Sequence, residues 1–302
     1  AAFLYCYDLH TVKLGKSVTT IGDNAFKSTS LKTINFPKSL KNVNKTAFEN
    51  TPWLKSRVDK GKIITINNIL ISGGGGGKTN IKVPSGVTKI GDYAFNGEGI
   101  KTVTLPNTVK HIGKYAFYKQ YALKKIVLPD SLETIDEYAF AYCEYLTSVK
   151  FGNSLKSIGN YAFKDCKSLE SLEFPTTLDD FGLFTFQNTP WFDNESESNQ
   201  FLIRNNVLLN AWGPANEPLE LPETITKIAG GALWRCYASS IKIPDGVTAI
   251  GESAFYACAN IKEIDLLDSV VSIGKSAFVK CDSLAQVNYG ESLKDIGGLA
   301  FM

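Results

Sequence analysis

The stretch that most resembles a chemical site is SGGGGGKT, Ser72 to Thr79, which departs from the phosphate-binding pattern G-x-x-x-x-G-K-[ST] only in placing Ser72 where the first glycine belongs. That pattern holds phosphate by aiming backbone N–H groups from the start of a helix. Here Lys78 and Thr79 run into Asn80-Ile81-Lys82-Val83-Pro84, an alternating segment with the signature of a strand. We therefore read the glycines as a flexible loop and assign no nucleotide. Six cysteines, Cys6, Cys143, Cys166, Cys236, Cys258 and Cys281, could in principle ligate metal, but a metal site needs converging ligands such as C-x-x-C pairs and none of the six is so paired. His10 and His111 are the only histidines and lie more than four repeats apart, and the carboxylates are scattered. The set of nucleophile, base and oxyanion donors cannot be filled. No catalytic residue, cofactor-binding residue, metal ligand or cofactor is assigned, and the sequence argues against an enzyme.

The cysteines share a different property: each stands three residues after a recurring anchor. The anchor is the Phe of Ala-Phe, found at positions 3, 26, 48, 95, 117, 140, 163, 255, 278 and 301, with Phe186 and Leu233 in the same phase. The mean spacing over thirteen periods is about 22.9 residues, and a period in this range marks a repeat array. A cysteine that recurs once per coil is a core column, where the thiol acts as a small hydrophobe. Side chains running parallel from coil to coil are also poorly placed for disulfides.

Two stretches define the unit. In L-x-x-I-x-L, as at Leu123, Ile126 and Leu128, the last positions alternate and predict a strand that pairs in parallel with its copies. In I-G-x-x-A-F, as at Ile90-Gly91 with Ala94-Phe95, the alanine allows close approach, the phenylalanine fills the interior, and the glycine suggests a torsion or contact that a Cβ would resist. Asp136 and Ala229 in the glycine's place show that this demand is not absolute. The unit is thus expected to be a strand, a turn and a short helical or 3-10 return. One such unit cannot cover its apolar face; stacking does so.

A longer repeat overlies the shorter one. ENTPWLKSRVDKGKIITINNILIS after Phe48 aligns without a gap on QNTPWFDNESESNQFLIRNNVLLN after Phe186 at an offset of six periods. These segments, about 49–86 and 187–224, are read as variant coils with hairpin insertions within a single solenoid spanning 1–302. Trp53 and Trp191 are expected to pack against their neighbours rather than bind a ligand.

Lys and Arg number 32 against 30 Asp and Glu, so a net charge of +2 gives no field to recruit nucleic acid. The apolar runs are too short to span a bilayer, so no membrane insertion is expected. The chain opens at Ala1 and closes in mid-repeat, which suggests a portion of something longer.

LxxIxLP, SVxxIGxxAFxxCxxL and the NTPW-containing coil together resemble the BspA-like, treponemal-type leucine-rich-repeat proteins over essentially the whole chain. The fold expected is an α/β repeat solenoid of about 23 residues per coil: a right-handed leucine-rich-repeat superhelix with a parallel sheet on its concave face and short helical returns. The resemblance implies a surface-exposed or secreted protein of host-associated bacteria or parasitic protists. Its expected role is adhesion to a host matrix or cell-surface protein or glycan, with a structural spacer of a larger surface protein as the alternative.

Two surfaces are candidates. The outward row of the I-x-L strands comprises Thr102, Thr104, Lys125, Val127, Ser148, Lys150, Ser171 and Glu173, and is polar and of mixed charge. Tyr93, Tyr115, Tyr138 and Tyr161, followed by Phe184, precede Ala-Phe or Thr-Phe in five successive units and predict an aromatic ladder. Such a ladder could meet sugars or a protein partner, but mutual stacking is its expected main purpose.

Overall fold

The computed structural model describes every residue except Gly75, Gly76 and Glu98. Two residues of the glycine loop read from the sequence therefore lie outside the described residues. The fold divides into two compact units, Ala1–Leu155 with Ala162–Pro175 and Lys156–Tyr161 with Thr176–Met302. Each is a stack of coils joined by parallel strands.

The coils contribute to two ladders, where one strand per unit was expected. The I-x-L strands form the first ladder, in pairs: Asn80–Lys82 with Thr102–Thr104 and Lys125–Val127 with Ser148–Lys150 in the first unit, Pro218–Glu220 with Ser240–Lys242 and Glu263–Leu266 with Gln286–Tyr289 in the second. The second ladder passes through the isoleucine before the glycine. It joins Ile69–Ser72, Lys89–Ile90, His111–Ile112 and Thr134–Ile135 in the first unit. In the second it joins Val207–Ala211, Lys227–Ile228, Ala249–Ile250, Ser272–Ile273 and Asp295–Ile296. A β-branched residue suits a strand, and Ile90, Ile112, Ile250 and Ile273 are buried. Most of these strands are two residues long, too short for alternation to appear in the sequence.

The returns also differ from expectation. Among the described residues the Ala-Phe segment forms a 3-10 helix only at Lys45–Phe48; elsewhere it is a run of turns. The residue before Ala-Phe has a left-handed backbone, with φ of 58° at Tyr93, 56° at Tyr115, 55° at Ser253 and 56° at Ser276, and the residue two after Phe does the same, with φ of 59° at Lys119 and 58° at Ala257. A left-handed residue interrupts a helix. It also turns alternate amides along the stack: Tyr115, Phe117 and Lys119 donate to Glu137, Ala139 and Ala141 of the next coil at 3.1, 2.7 and 3.0 Å, while Ala116 and Tyr118 donate back to Gly113 and Tyr115. Ser253, Phe255 and Ala257 repeat this toward Lys275, Ala277 and Val279. Thr46, β-branched, has no positive φ, and its coil is the one that becomes 3-10, capped by Asn44.

Stacking like on like fills the core. Phe95, Phe117 and Phe140 are fully buried with ring centroids 4.7 and 4.8 Å apart, as are Phe255 and Phe278 at 4.8 Å. The glycine after the isoleucine answers to close approach and not to torsion at Gly91, Gly113, Gly251, Gly274 and Gly297, while Gly22 faces open space. A Cβ on Gly274 would lie 2.5 Å from the Glu252 amide nitrogen, and one on Gly297 would lie 2.3 Å from that of Lys275.

The cysteine column is internal and also polar in function. All six thiols are free and all but Cys6 are buried. Cys143 Sγ donates to Phe117 O of the preceding coil at 3.1 Å, and Cys166, Cys258 and Cys281 make the equivalent bond. Where threonine takes this place, Thr29, Thr51 and Thr189 donate to the Phe carbonyl of their own coil. Gln120 donates to Phe95 O and accepts from the Ile100 amide. A buried carbonyl with a spare lone pair is costly to leave unmet, and this column meets it.

The variant coils each carry a hairpin, Ile64–Ile66 with Ile69–Ser72 and Phe201–Arg204 with Val207–Ala211. Each also carries a helix absent from the sequence reading, Pro52–Val58 and Pro190–Ser198. N-T-P-W encodes it directly: the threonine hydroxyl caps the first turn, accepting from Leu54 N or Phe192 N at 3.2 Å, and proline follows at the first helical position, where its missing N–H costs nothing. Trp53 and Trp191 are buried at the helix starts against Phe48 and Phe186, and each has an arginine over its ring, Arg57 and Arg204.

Two predictions follow from the turn and the column. A left-handed non-glycine residue costs roughly 1–2 kcal/mol, so Ser276→Gly should raise stability by about 0.5–1 kcal/mol and Ser276→Val should lower it by about 1–2 kcal/mol. Urea midpoints measure both; equal stability of the Val and Gly variants would contradict the left-handed turn. Burial pushes the Cys143 thiol up to about 12 and raises Cys166 well above its ordinary value. With Cys6 exposed and these two buried, thiol reagent should modify Cys6 in the native protein and reach Cys143 and Cys166 only on unfolding.

Candidate functional site

The outward row of the first ladder is in register. Lys125 stands opposite Ser148 and Val127 opposite Lys150, while Thr102 and Thr104 stand opposite Asn80 and Lys82. Thr102 donates to Asn80 Oδ1 at 2.7 Å, so part of its hydroxyl is already engaged. Lys125, Val127 and Lys150 are exposed, with Val127 63% accessible, an unusual value for a β-branched aliphatic. Ser171 and Glu173 are exposed but do not lie in a strand. They join Ser148 and Lys150 around a shallow depression of about 490 Å³, floored by Phe151 and Phe174, whose rings stack at 5.6 Å. The structure thus brings four of the eight row residues to one place.

The tyrosines stack on one another. Tyr93, Tyr115 and Tyr138 in the first unit have centroids 4.9 and 5.0 Å apart and ring planes within 5°. All three are half-buried, and burial raises the Tyr93 and Tyr115 hydroxyls above their ordinary range. Tyr115, in the middle, has both faces covered by its neighbours. Tyr118 packs edge-on against Tyr115 and against Tyr142, with the Lys119 ammonium over both Tyr118 and Tyr142. In the second unit Tyr161 meets Phe184 in a tilted contact at 6.0 Å, Phe184 meets Trp234, and Trp234 stacks on Tyr256 at 4.0 Å.

A third surface was missed by the sequence reading because the strand that carries it is so short. The outward side chains of the second ladder in the first unit border a polar groove of about 560 Å³. Lys89 is registered with His111 and His111 with Thr134, and His111 Nδ1 lies 2.9 Å from Thr134 Oγ1. Asn42 and Asn68 also line it, and Lys89 Nζ reaches Asn42 Oδ1 at 3.5 Å. Burial pushes the Asp136 carboxyl above the usual range, with Asp92 adding to the effect and Lys89, Lys114 and His111 opposing it. The signal for this groove was the small polar or basic residue before each Ile-Gly.

The remaining candidates from the sequence lie apart. His10 is held by the Asp8 carbonyl at 2.8 Å. Lys78 and Thr79 lead into the strand Asn80–Lys82 and not into a helix, which removes the context of a phosphate-binding loop. Among the described residues no three His, Cys, Asp or Glu groups could hold a metal, and no helix is long and apolar enough to cross a membrane.

The chain is similar to several solved structures. A leucine-rich repeat protein from Bacteroides ovatus shares 27% identity over 98% of this chain and 76% of its own, with a TM-score of 0.38. The pneumococcal vaccine antigen PcpA shares 21% identity over 74% and 66%, with a TM-score of 0.41. A leucine rich cell surface protein from Faecalibacterium prausnitzii shares 16% over 96% and 88%, with a TM-score of 0.34. A search of curated proteins returned no match. The model of the BspA type leucine rich repeat region matches in six copies at residues 1–72, 77–192 and 215–302. With stacked parallel-strand coils recurring about every 23 residues and that match over most of its length, the chain belongs to the BspA-type leucine-rich repeat family.

Proposed function

We propose that this chain is a non-enzymatic, surface-exposed or secreted binding protein that mediates adhesion to a host matrix or cell-surface protein or glycan. The observation that carries the reading is the registered row of exposed side chains on the first ladder, repeated from coil to coil, with Lys125, Val127 and Lys150 presented side by side. We take this row as the concave face of the solenoid, where an extended partner meets several coils at once. Modest affinity per coil then sums through multivalency. The surface location follows from what membership of the family implies.

The test is binding of the purified chain to an array of matrix proteins, mucins and glycans, with the triple variant Lys125→Ala, Lys150→Ala and Glu173→Ala alongside. The expected result is at least one saturable partner whose affinity falls roughly tenfold or more in the variant, since each 1.4 kcal/mol of lost contact is tenfold. Binding that is indifferent to the three substitutions would remove the row as the site. No binding to any member of the array would favour the spacer of a larger surface protein.

A further inference from the structure

The two modules at an offset of 138 residues offer an internal comparison at the second-ladder groove. Lys41 and Asn42 correspond to Asp179 and Asp180, Asn68 to Asn206, Lys89 to Lys227, and His111 to Ala249. The scaffold is retained: Asn67 Nδ2 donates to the Leu40 carbonyl at 3.0 Å and Asn205 Nδ2 to that of Leu178 at 2.6 Å. The charges are not. In the second unit Lys227 Nζ is paired with Asp179 Oδ2 at 2.8 Å, so the cation is neutralised from within. In the first unit Lys89 Nζ reaches the carboxamide of Asn42 and also acts on the Asp136 carboxyl, with Lys41 and Lys38 beside it. Asp136 is the sole carboxylate among the lining residues, and its burial disfavours the charged form.

We propose that the first unit's groove is a docking site for an acidic, extended peptide segment of a protein partner, with the partner's carboxylates held by Lys41 and Lys89. The proposal rests on the binding-protein reading above but assigns this contact to a different face. Charge complementarity selects the occupant: Lys38, Lys41 and Lys89 outnumber the one lining carboxylate, Asp136, on the same scaffold that pairs the corresponding lysine with Asp179 in the other module. Asn42 and Asn68 offer both donors and acceptors, the complement of a peptide backbone. No Phe, Tyr or Trp is among the described residues that line the groove, so a sugar ring finds no large aromatic face to stack on. Neighbouring parallel strands stand about 4.8 Å apart, so Lys89, His111 and Thr134 form a straight row for an extended segment to lie along.

The experiment is fluorescence anisotropy of the full chain with a fluorescein-labelled ten-residue peptide of alternating glutamate and serine, in low salt and again at higher salt. Saturable, salt-sensitive binding is expected. The double variant Lys41→Asp with Asn42→Asp installs residues that the second module already carries at these positions, so the fold should be kept, and affinity should fall roughly tenfold or more. Lys89→Gln, tested as a second variant, should weaken binding in the same direction. Lys125→Ala with Lys150→Ala should leave peptide binding unchanged. The proposal is overturned by no saturable peptide binding, by equal loss on changing Lys125 and Lys150, or by tighter binding of oligogalacturonate at the same residues. If array binding depends on the first-ladder row while the peptide does not bind, the groove fails and the adhesion reading stands. If the peptide binds as described while the array is silent, the groove stands and host adhesion fails.

Discussion

Everything in this fold depends on one arrangement of backbone amides at the Ala-Phe return. Alternate N–H groups point along the stack to the next coil and the intervening ones close turns within their own coil, as at Tyr115, Phe117 and Lys119 against Ala116 and Tyr118. That alternation is a parallel ladder in its hydrogen bonding, yet it bends the chain back because its flanking residues are left-handed. The steric cost of those residues is repeated in coil after coil. It is offset because the amides are satisfied, that of the buried Phe117 among them, where an unmet donor would cost more, and because the phenylalanine rings are brought into stacked contact. The glycine before the turn, the small alanine and the polar column after the phenylalanine all follow from that close approach.

The period, the I-x-L strand, the buried anchor and the cysteine column were legible because each leaves a residue type at a fixed spacing. The left-handed turn was not, because asparagine, serine, tyrosine and phenylalanine all occupy its first position and none announces a positive φ as glycine does at Gly231. Tyr93, Tyr115 and Tyr138 stack on one another and are also the residues that turn the chain, a role the sequence pattern does not reveal. The second ladder escaped because two-residue strands show no alternation, and with it escaped the groove at Lys89, His111 and Thr134. The N-T-P-W helices were legible in principle, since a threonine cap followed by proline is a helix start in any context.

The two modules show how an interaction surface can change while a core does not. Both keep the capped helix, the buried tryptophan under an arginine, and the asparagine that ties the hairpin to the preceding coil. These are contacts whose loss exposes or leaves unpaired a buried group. The residues that differ, Lys41 and Asn42 against Asp179 and Asp180, lie on the outward face, where substitution costs little stability and alters the charge offered to a partner. A repeat scaffold separates these requirements because each coil needs only its neighbours to be stable.

The measurement that bears most directly on this physical picture is native-state amide hydrogen exchange, resolved by residue. The amides of Tyr115, Phe117, Lys119, Ser253, Phe255 and Ala257, which donate between coils, should exchange as slowly as those of the second ladder, opening only when their unit unfolds. Exchange of these amides at rates typical of exposed turns, with protection confined to the strands, would show that the return does not bind coil to coil and would contradict it.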